Sequence, residues 1–196
     1  MIRALDFYQN VLGFQIIEQQ TNIAKLSAGG QSPILALEKQ EKPIPLKPGD
    51  TGLFHIAYLL PSRRDLAVML RHLLHIGYPI QGASDHLVSE ALYLADPDGN
   101  DIEVYVDRDH RDWKWKNGEV AMSTLPLDAD SLLKELETDG WNGLPENAII
   151  GHIHLQVANL DNIKPFYVDG LGLISCQDMG AKRFSYLQVD TITILV

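Results

Sequence analysis

The chain has 196 residues, 45% hydrophobic and 21% charged, an ordinary balance for one large or two small folded domains with room for a sizeable core. Its net charge of −10 argues against nucleic acid or an anionic membrane surface as the main partner, because such surfaces are bound through excess Lys and Arg. A single cysteine, Cys176, excludes an intrachain disulfide framework, and with no basic-then-apolar leader and no apolar run near ~18 residues the expected location is the cytoplasm.

In chain order, apolar side chains at Ala4, Leu5, Tyr8, Val11 and Leu12 recur at helical spacing, so residues 3–12 read as a helix ended by Gly13. Three strand-like runs follow, FQIIEQQ, IAKLSAGG and PILALEK, separated by Asn22 and by Gly29-Gly30. The proline-rich stretch 42–50 reads as a linker. GLFHIAYLL opens a second unit as a strand stopped by Pro61. A helix is expected from about Arg64 to Ile76, with Ser62 as N-cap and Gly77 as stop signal. HLVSE, ALYLAD and DIEVYV read as strands, the last two joined by the turn PDGN. Residues 107–147 are polar and irregular apart from a short helix in DADSLLKELETD; they read as a surface connector pinned by Trp113 and Trp115. IIGHIHLQV opens a third unit, followed by a helix around DNIKPFYVDGL and by the strands LISCQD, RFSYLQV and TITILV. Cys176, with no basic neighbour in sequence, reads as a buried strand residue.

The order strand, helix, three strands is thus written out twice, and an earlier copy begins at its helix. FYQNVLGF and PFYVDGLGL are then equivalent helices of an internal repeat, with Phe-Tyr packing the helix on its sheet and the glycine releasing the next strand. The expected fold class is α+β, made of repeated βαβββ modules that form curled mixed sheets. An incomplete first module spans 1–48, a second 49–107, a connector 108–147 and a third 148–196.

A histidine on a strand is more often structural than a ligand, yet His55 and His152 fall at matching points on the opening strands of two modules. His154 shares a strand face with His152, since side chains two apart point the same way. Glu103 stands inside the apolar run IEVYV, where a carboxylate needs a partner or a cation. Two imidazoles and a carboxylate make the facial triad of non-haem Fe(II) sites, and Zn, Mn or Ni could accept the same set. There is no dinucleotide loop, Walker sequence, nucleophile elbow or His-Glu-x-x-His.

The motifs FYQNVLGF, FYVDGLGL, GLFHIAYLLP, LYLADPDGNDIEVY and GHIHLQVANL resemble the vicinal oxygen chelate superfamily of glyoxalases, bleomycin-resistance proteins and extradiol dioxygenases. They cover most of the chain outside the connector, and the pattern is most similar to catechol-2,3-dioxygenase-like bacterial proteins of four modules. The resemblance implies a divalent metal, Fe(II) first and Mn, Zn or Ni otherwise, held by His152 of the Gly-His pair, by His55 and by Glu103 after Pro97-Asp98-Gly99. It implies that Tyr93, ten residues before Glu103, steadies a substrate oxygen. These residues match without addition only if the second module pairs with the third.

Extradiol enzymes of this type carry a further acid/base histidine on the last strand of the Gly-His module, and TITILV has none; His86 or His154 is the replacement to consider. The half first module and absent fourth read as a truncation that bears on catalysis more than on metal binding and invites a homo-oligomer to complete the missing strands. The implied function is an oxidoreductase that cleaves the ring of a catechol-type small aromatic. The alternatives are an isomerase acting on a dicarbonyl or a thiol transferase on the same scaffold, or a resistance protein that binds a small molecule without turning it over.

Overall fold

The computed structural model of the chain describes residues 1–178 apart from 31, 45, 46, 48, 138 and 139, with side chains to Leu173 and at Ser175, and beyond that the backbone of two strands. The side chain of Cys176 lies outside the described residues.

The first unit is a short helix, α1 (Ile2–Asp6), which widens into a π-helical turn over Phe7–Val11, and an antiparallel sheet of β1 (Gln15–Gln19), β2 (Ile23–Ser27) and β3 (Leu35–Glu38). The second is β4 (Gly52–Leu59), α2 (Arg63–Ile76), β5 (Gly82–Asp85), β6 (Ser89–Ala95) and β7 (Asp101–Asp107). Ser62 caps α2 by accepting from the Asp65 amide, and Gly77 closes it in the left-handed conformation. The intervening stretch carries a hairpin of β8 (Trp115–Lys116) and β9 (Glu119–Val120), then β10 (Leu125–Pro126) and α3 (Ala129–Leu133). The third unit is β11 (Ile149–Gln156), α4 (Leu160–Pro165) with a π-helical turn over Phe166–Gly170, β12 (Ile174–Asp178), β13 (Ser185–Val189) and β14 (Ile192–Leu195).

Among the described residues, nine strands form one sheet in the order β10-β5-β6-β7-β4-β11-β14-β13-β12. At its centre the opening strands β4 and β11 pair antiparallel, and each is flanked by the last strand of its own unit, β7 and β14, in parallel. The second and third units are therefore joined edge to edge.

The period of two along each strand sorts side chains onto two faces. Tyr58 and Leu60 of β4 and its extension, Leu92 and Leu94 of β6, and Ile102 and Val104 of β7 point to the back, where α2 brings Leu66, Met69 and Leu73. The first unit shares this core: Phe14 meets Tyr58 edge-on at 5.2 Å, and Phe7 lies 5.3 Å from Tyr78 beyond the end of α2. Each such side chain contributes roughly 1.5–3 kcal/mol by leaving water. The first unit thus packs face-on against the second.

Three local expectations change. The connector is not confined to the surface: Trp113, Val120, Leu132 and Leu144 are buried, and β10 adds a strand to the large sheet by pairing Leu125 with Asp85. Apart from Trp113, these apolar residues are spaced without period, so no sequence pattern announces their burial. Trp113 anchors the stretch, whereas Trp115 is mostly exposed. Close approach also fixes Gly13, whose carbonyl accepts from the Leu144 amide at 2.9 Å and whose added Cβ would lie 2.5 Å from that nitrogen. The helix in DADSLLKELETD is only five residues long, capped by Asp128. Finally, HLVSE is a turn leading into β6, because Leu87 takes a φ of 70° and the His86 amide donates to the Ser89 carbonyl; the strand before it is GASD. Among the described residues no helix is long and apolar enough to cross a membrane.

Candidate metal centre

The front face of the sheet is built differently. Register aligns Tyr93 on β6 with Glu103 on β7, Glu103 with Ala57 on β4, and Ala57 with His152 on β11. One straight row across four strands therefore carries a phenol, a carboxylate, a methyl group and an imidazole. The small side chain of Ala57, fully buried, leaves space above it into which Glu103 and His152 lean from either side. His55, two residues before Ala57 and on the same face, enters from the neighbouring row, where it pairs with His154.

The result is a triangle of atoms. His55 Nε2 lies 2.9 Å from Glu103 Oε2, His152 Nε2 lies 3.1 Å from the same oxygen, and the two nitrogens are 3.4 Å apart. All three side chains are buried. A cation with bonds of about 2.1 Å to three ligands at right angles needs ligand atoms ~3.0 Å apart, so this donor set fits a divalent ion on one triangular face. Burial works to raise the Glu103 carboxyl, but hydrogen bonds from His152 and His55 and their charge outweigh it and hold the carboxyl well below its usual range. Glu103 is an ionised acceptor in an apolar wall, the condition that a cation would relieve.

Tyr93 and His86 adjoin this triangle. The His86 Nδ1 sits 3.0 Å from the Ser123 carbonyl, which can only accept, so Nδ1 carries a hydrogen and, in the neutral ring, Nε2 offers a lone pair. Tyr93 donates its hydroxyl to that Nε2 at 2.7 Å. Burial, and after it the charge of nearby Glu103, push the Tyr93 phenol far above its ordinary value, so it stays protonated. His154 stands elsewhere on the front face, its ring edge-on to His55 at 4.7 Å and 4.7 Å from Phe54. Burial, with the charges of His55 and His152, lowers it to about 3, which leaves a neutral packing imidazole at ordinary pH.

A family model described as the Glyoxalase/Bleomycin resistance protein/Dioxygenase superfamily matches residues 1–104. The chain belongs to this superfamily. A protein of Bacillus subtilis (strain 168) named catechol-2,3-dioxygenase is 44% identical over 172 residues, which cover 87% of this chain and 60% of that protein. The crystal structure of the cppA protein from Streptococcus pneumoniae TIGR4 superposes with a TM-score of 0.53 at 13% identity, covering 81% of this chain and 59% of that one. The chain thus spans about three fifths of the length of each relative. The glyoxalase-superfamily fold, curled mixed sheets with few helices, is shared with these proteins.

Three contributions to this candidate site leave no plain mark in the sequence. Tyr105, on the Glu103 face two residues on, stands 4.8 Å from the His152 ring. Its hydroxyl occupies the space a side chain would need at Gly151, and a Cβ there would also come within 2.7 Å of the Leu59 Cβ, so the bulge before His152 requires glycine. Alternation could have flagged Tyr105 and Ala57. Nothing in the sequence signals Ser123, which acts through its backbone from the connector.

Proposed function

We propose that the chain is the metal-holding part of an extradiol dioxygenase that cleaves the ring of a catechol-type aromatic. The observation that carries this reading is the convergence of His55, Glu103 and His152 on one triangle beside a protonated tyrosine. His55, Glu103 and His152 would hold a cation from one side and leave substrate room on the other. Fe(II) held there would supply redox chemistry between a diol and dioxygen. The name of the Bacillus subtilis relative points to the same chemistry.

The remaining roles belong to the chain. Tyr93 holds its proton against His86 Nε2 and has oxygen lone pairs left to accept a hydrogen from a substrate hydroxyl. A proton leaving the diol passes to Tyr93 Oη as the Tyr93 hydrogen moves to His86 Nε2, which becomes an imidazolium held by the Ser123 carbonyl. His86 thereby takes the acid/base part that TITILV leaves open, while His154 packs beside His55. Phe54, half exposed against His154, is suited to the apolar wall of the substrate site.

Anaerobic reconstitution with Fe(II), followed by metal analysis of the parent, His55→Ala, Glu103→Ala and His152→Ala, tests the ligands. The parent should hold one iron and each variant far less; full iron in all three variants removes the proposed centre. Oxygen uptake with catechol and a yellow product test the reaction. A preference for nickel, zinc or manganese would move the reading to an isomerase or a thiol transferase.

A further inference from the structure

We infer that Arg108 is a positioning residue, which aims His86 at Tyr93 by gripping the turn of residues 86–89; the inference rests on the role given above to His86. The turn contains a strained leucine. Leu87 has a φ of 70°, a conformation that suits glycine and is costly for a side chain branched at Cγ. Leu87 is 38% exposed, so burial alone does not hold it in this conformation. Something else must hold the turn.

Arg108 holds it from two sides. The Leu87 amide donates to Asp85 Oδ1 at 2.8 Å, and Asp85 Oδ2 receives Arg108 Nη2 at 2.7 Å. On the other side of Leu87, the Arg108 amide donates to the Val88 carbonyl at 2.7 Å, and Val88 is packed under Trp113 and Val120. Arg108 is itself tied to buried Glu90 at 3.3 Å, and Glu90 is held by Arg63 at 2.6 Å. This chain of ion pairs fixes Arg108, which fixes Asp85, which fixes the left-handed residue directly after His86.

His86 gains one direction from this. Its amide closes the turn on the Ser89 carbonyl at 2.8 Å, its carbonyl accepts from the Ser123 amide at 3.3 Å, and its ring spans the gap from the Ser123 carbonyl to the Tyr93 hydroxyl. Both ring contacts exist together only while the backbone at residue 87 stays left-handed. A turn relaxed to negative φ points the imidazole elsewhere, and Nδ1 and Nε2 lose their separate partners.

The test reads the His86 tautomer directly, without metal or substrate. In 15N-labelled protein the imidazole nitrogens of His86, assigned by their absence in His86→Gln, should report a pure Nδ1-protonated ring. Arg108→Ala should bring the two nitrogens toward averaged shifts, and Asp85→Asn, which removes the ion pair and keeps an acceptor for the Leu87 amide, should do so in part. Leu87→Gly should leave the tautomer pure, because glycine takes this φ without strain. In iron-loaded protein Arg108→Ala should lower kcat about tenfold with KM and iron content unchanged. An unaltered tautomer in both Arg108→Ala and Asp85→Asn overturns the inference, as does an averaged tautomer with unaltered kcat. If the parent consumes no oxygen, the dioxygenase reading fails while the tautomer comparison still decides the role of Arg108. Should Arg108→Ala not fold, Asp85→Asn decides in its place.

Discussion

The two faces of β4, β6 and β7 are made by the same strands and obey opposite rules. On the back, Tyr58, Leu92, Leu94, Ile102 and Val104 pack against helices and the first unit with almost no water. On the front, one residue along from each, stand Ala57, Tyr93, Glu103 and, across the β4–β11 pairing, His152. A back-face residue stabilises by area removed from water. A front-face residue such as Glu103 is desolvated and charged, and it is tolerated there because His55 and His152 stand against it. Stability and site chemistry are therefore separable by a shift of a single residue in sequence.

The widest expected gap comes from Phe7, 2% exposed, set against the matching residue of the repeat, Phe166, 56% exposed. Phe7→Ala should cost about 3–5 kcal/mol in urea unfolding, and Phe166→Ala less than about 0.5 kcal/mol. Iron content in folded Phe7→Ala should match the parent. Equal losses in the two variants would mean that the first unit does not share the core of the second.

Glu103→Gln attacks the other face. It keeps the volume and removes the charge, so metal affinity should fall at least ~100-fold while the apo protein still folds. A variant that loses its fold along with its metal would break the separation of faces. Tyr93→Phe lies one step further from the cation: kcat should drop roughly 10- to 100-fold with metal content and unfolding unchanged. An unchanged kcat removes the phenol from the proton path.

Sequence patterns reveal periodicity and motif but not contacts made through the backbone. The repeat, the ends of α2 and the DPDGN turn were legible because capping chemistry and glycine placement are local. The approach of His55, Glu103 and His152 was legible only through the superfamily resemblance, since 97 residues separate the two histidines. Two features were not legible. Leu87 looks like a strand residue, and its left-handed backbone follows from Asp85 and Arg108, the latter 21 positions away. The burial of Leu132 and Leu144 depends on where the connector lands, a tertiary fact with no periodic trace.

The smallest expected effect is a pH dependence that belongs to the back half alone. His72 on α2 donates Nε2–H to the Asn10 carbonyl at 3.2 Å and stacks on Trp141 at 3.8 Å with the rings 5° from parallel, joining the first unit, the helix and the connector. Burial lowers its pKa, bonds to the Asn10 and Val11 carbonyls oppose that, and His75 one turn away adds to the lowering. The folded value is thus below the unfolded one, near 6.5, so at acid pH the unfolded chain binds the proton first. Stability from this group is complete above about pH 6.5 and declines as pH falls through the folded value. Urea unfolding from about pH 8 to pH 5 should show His72→Gln with a shallower decline than the parent, since glutamine keeps an N–H for Asn10 and cannot be protonated. Identical slopes would assign the decline to other groups and leave the two faces without a titrating partner of their own.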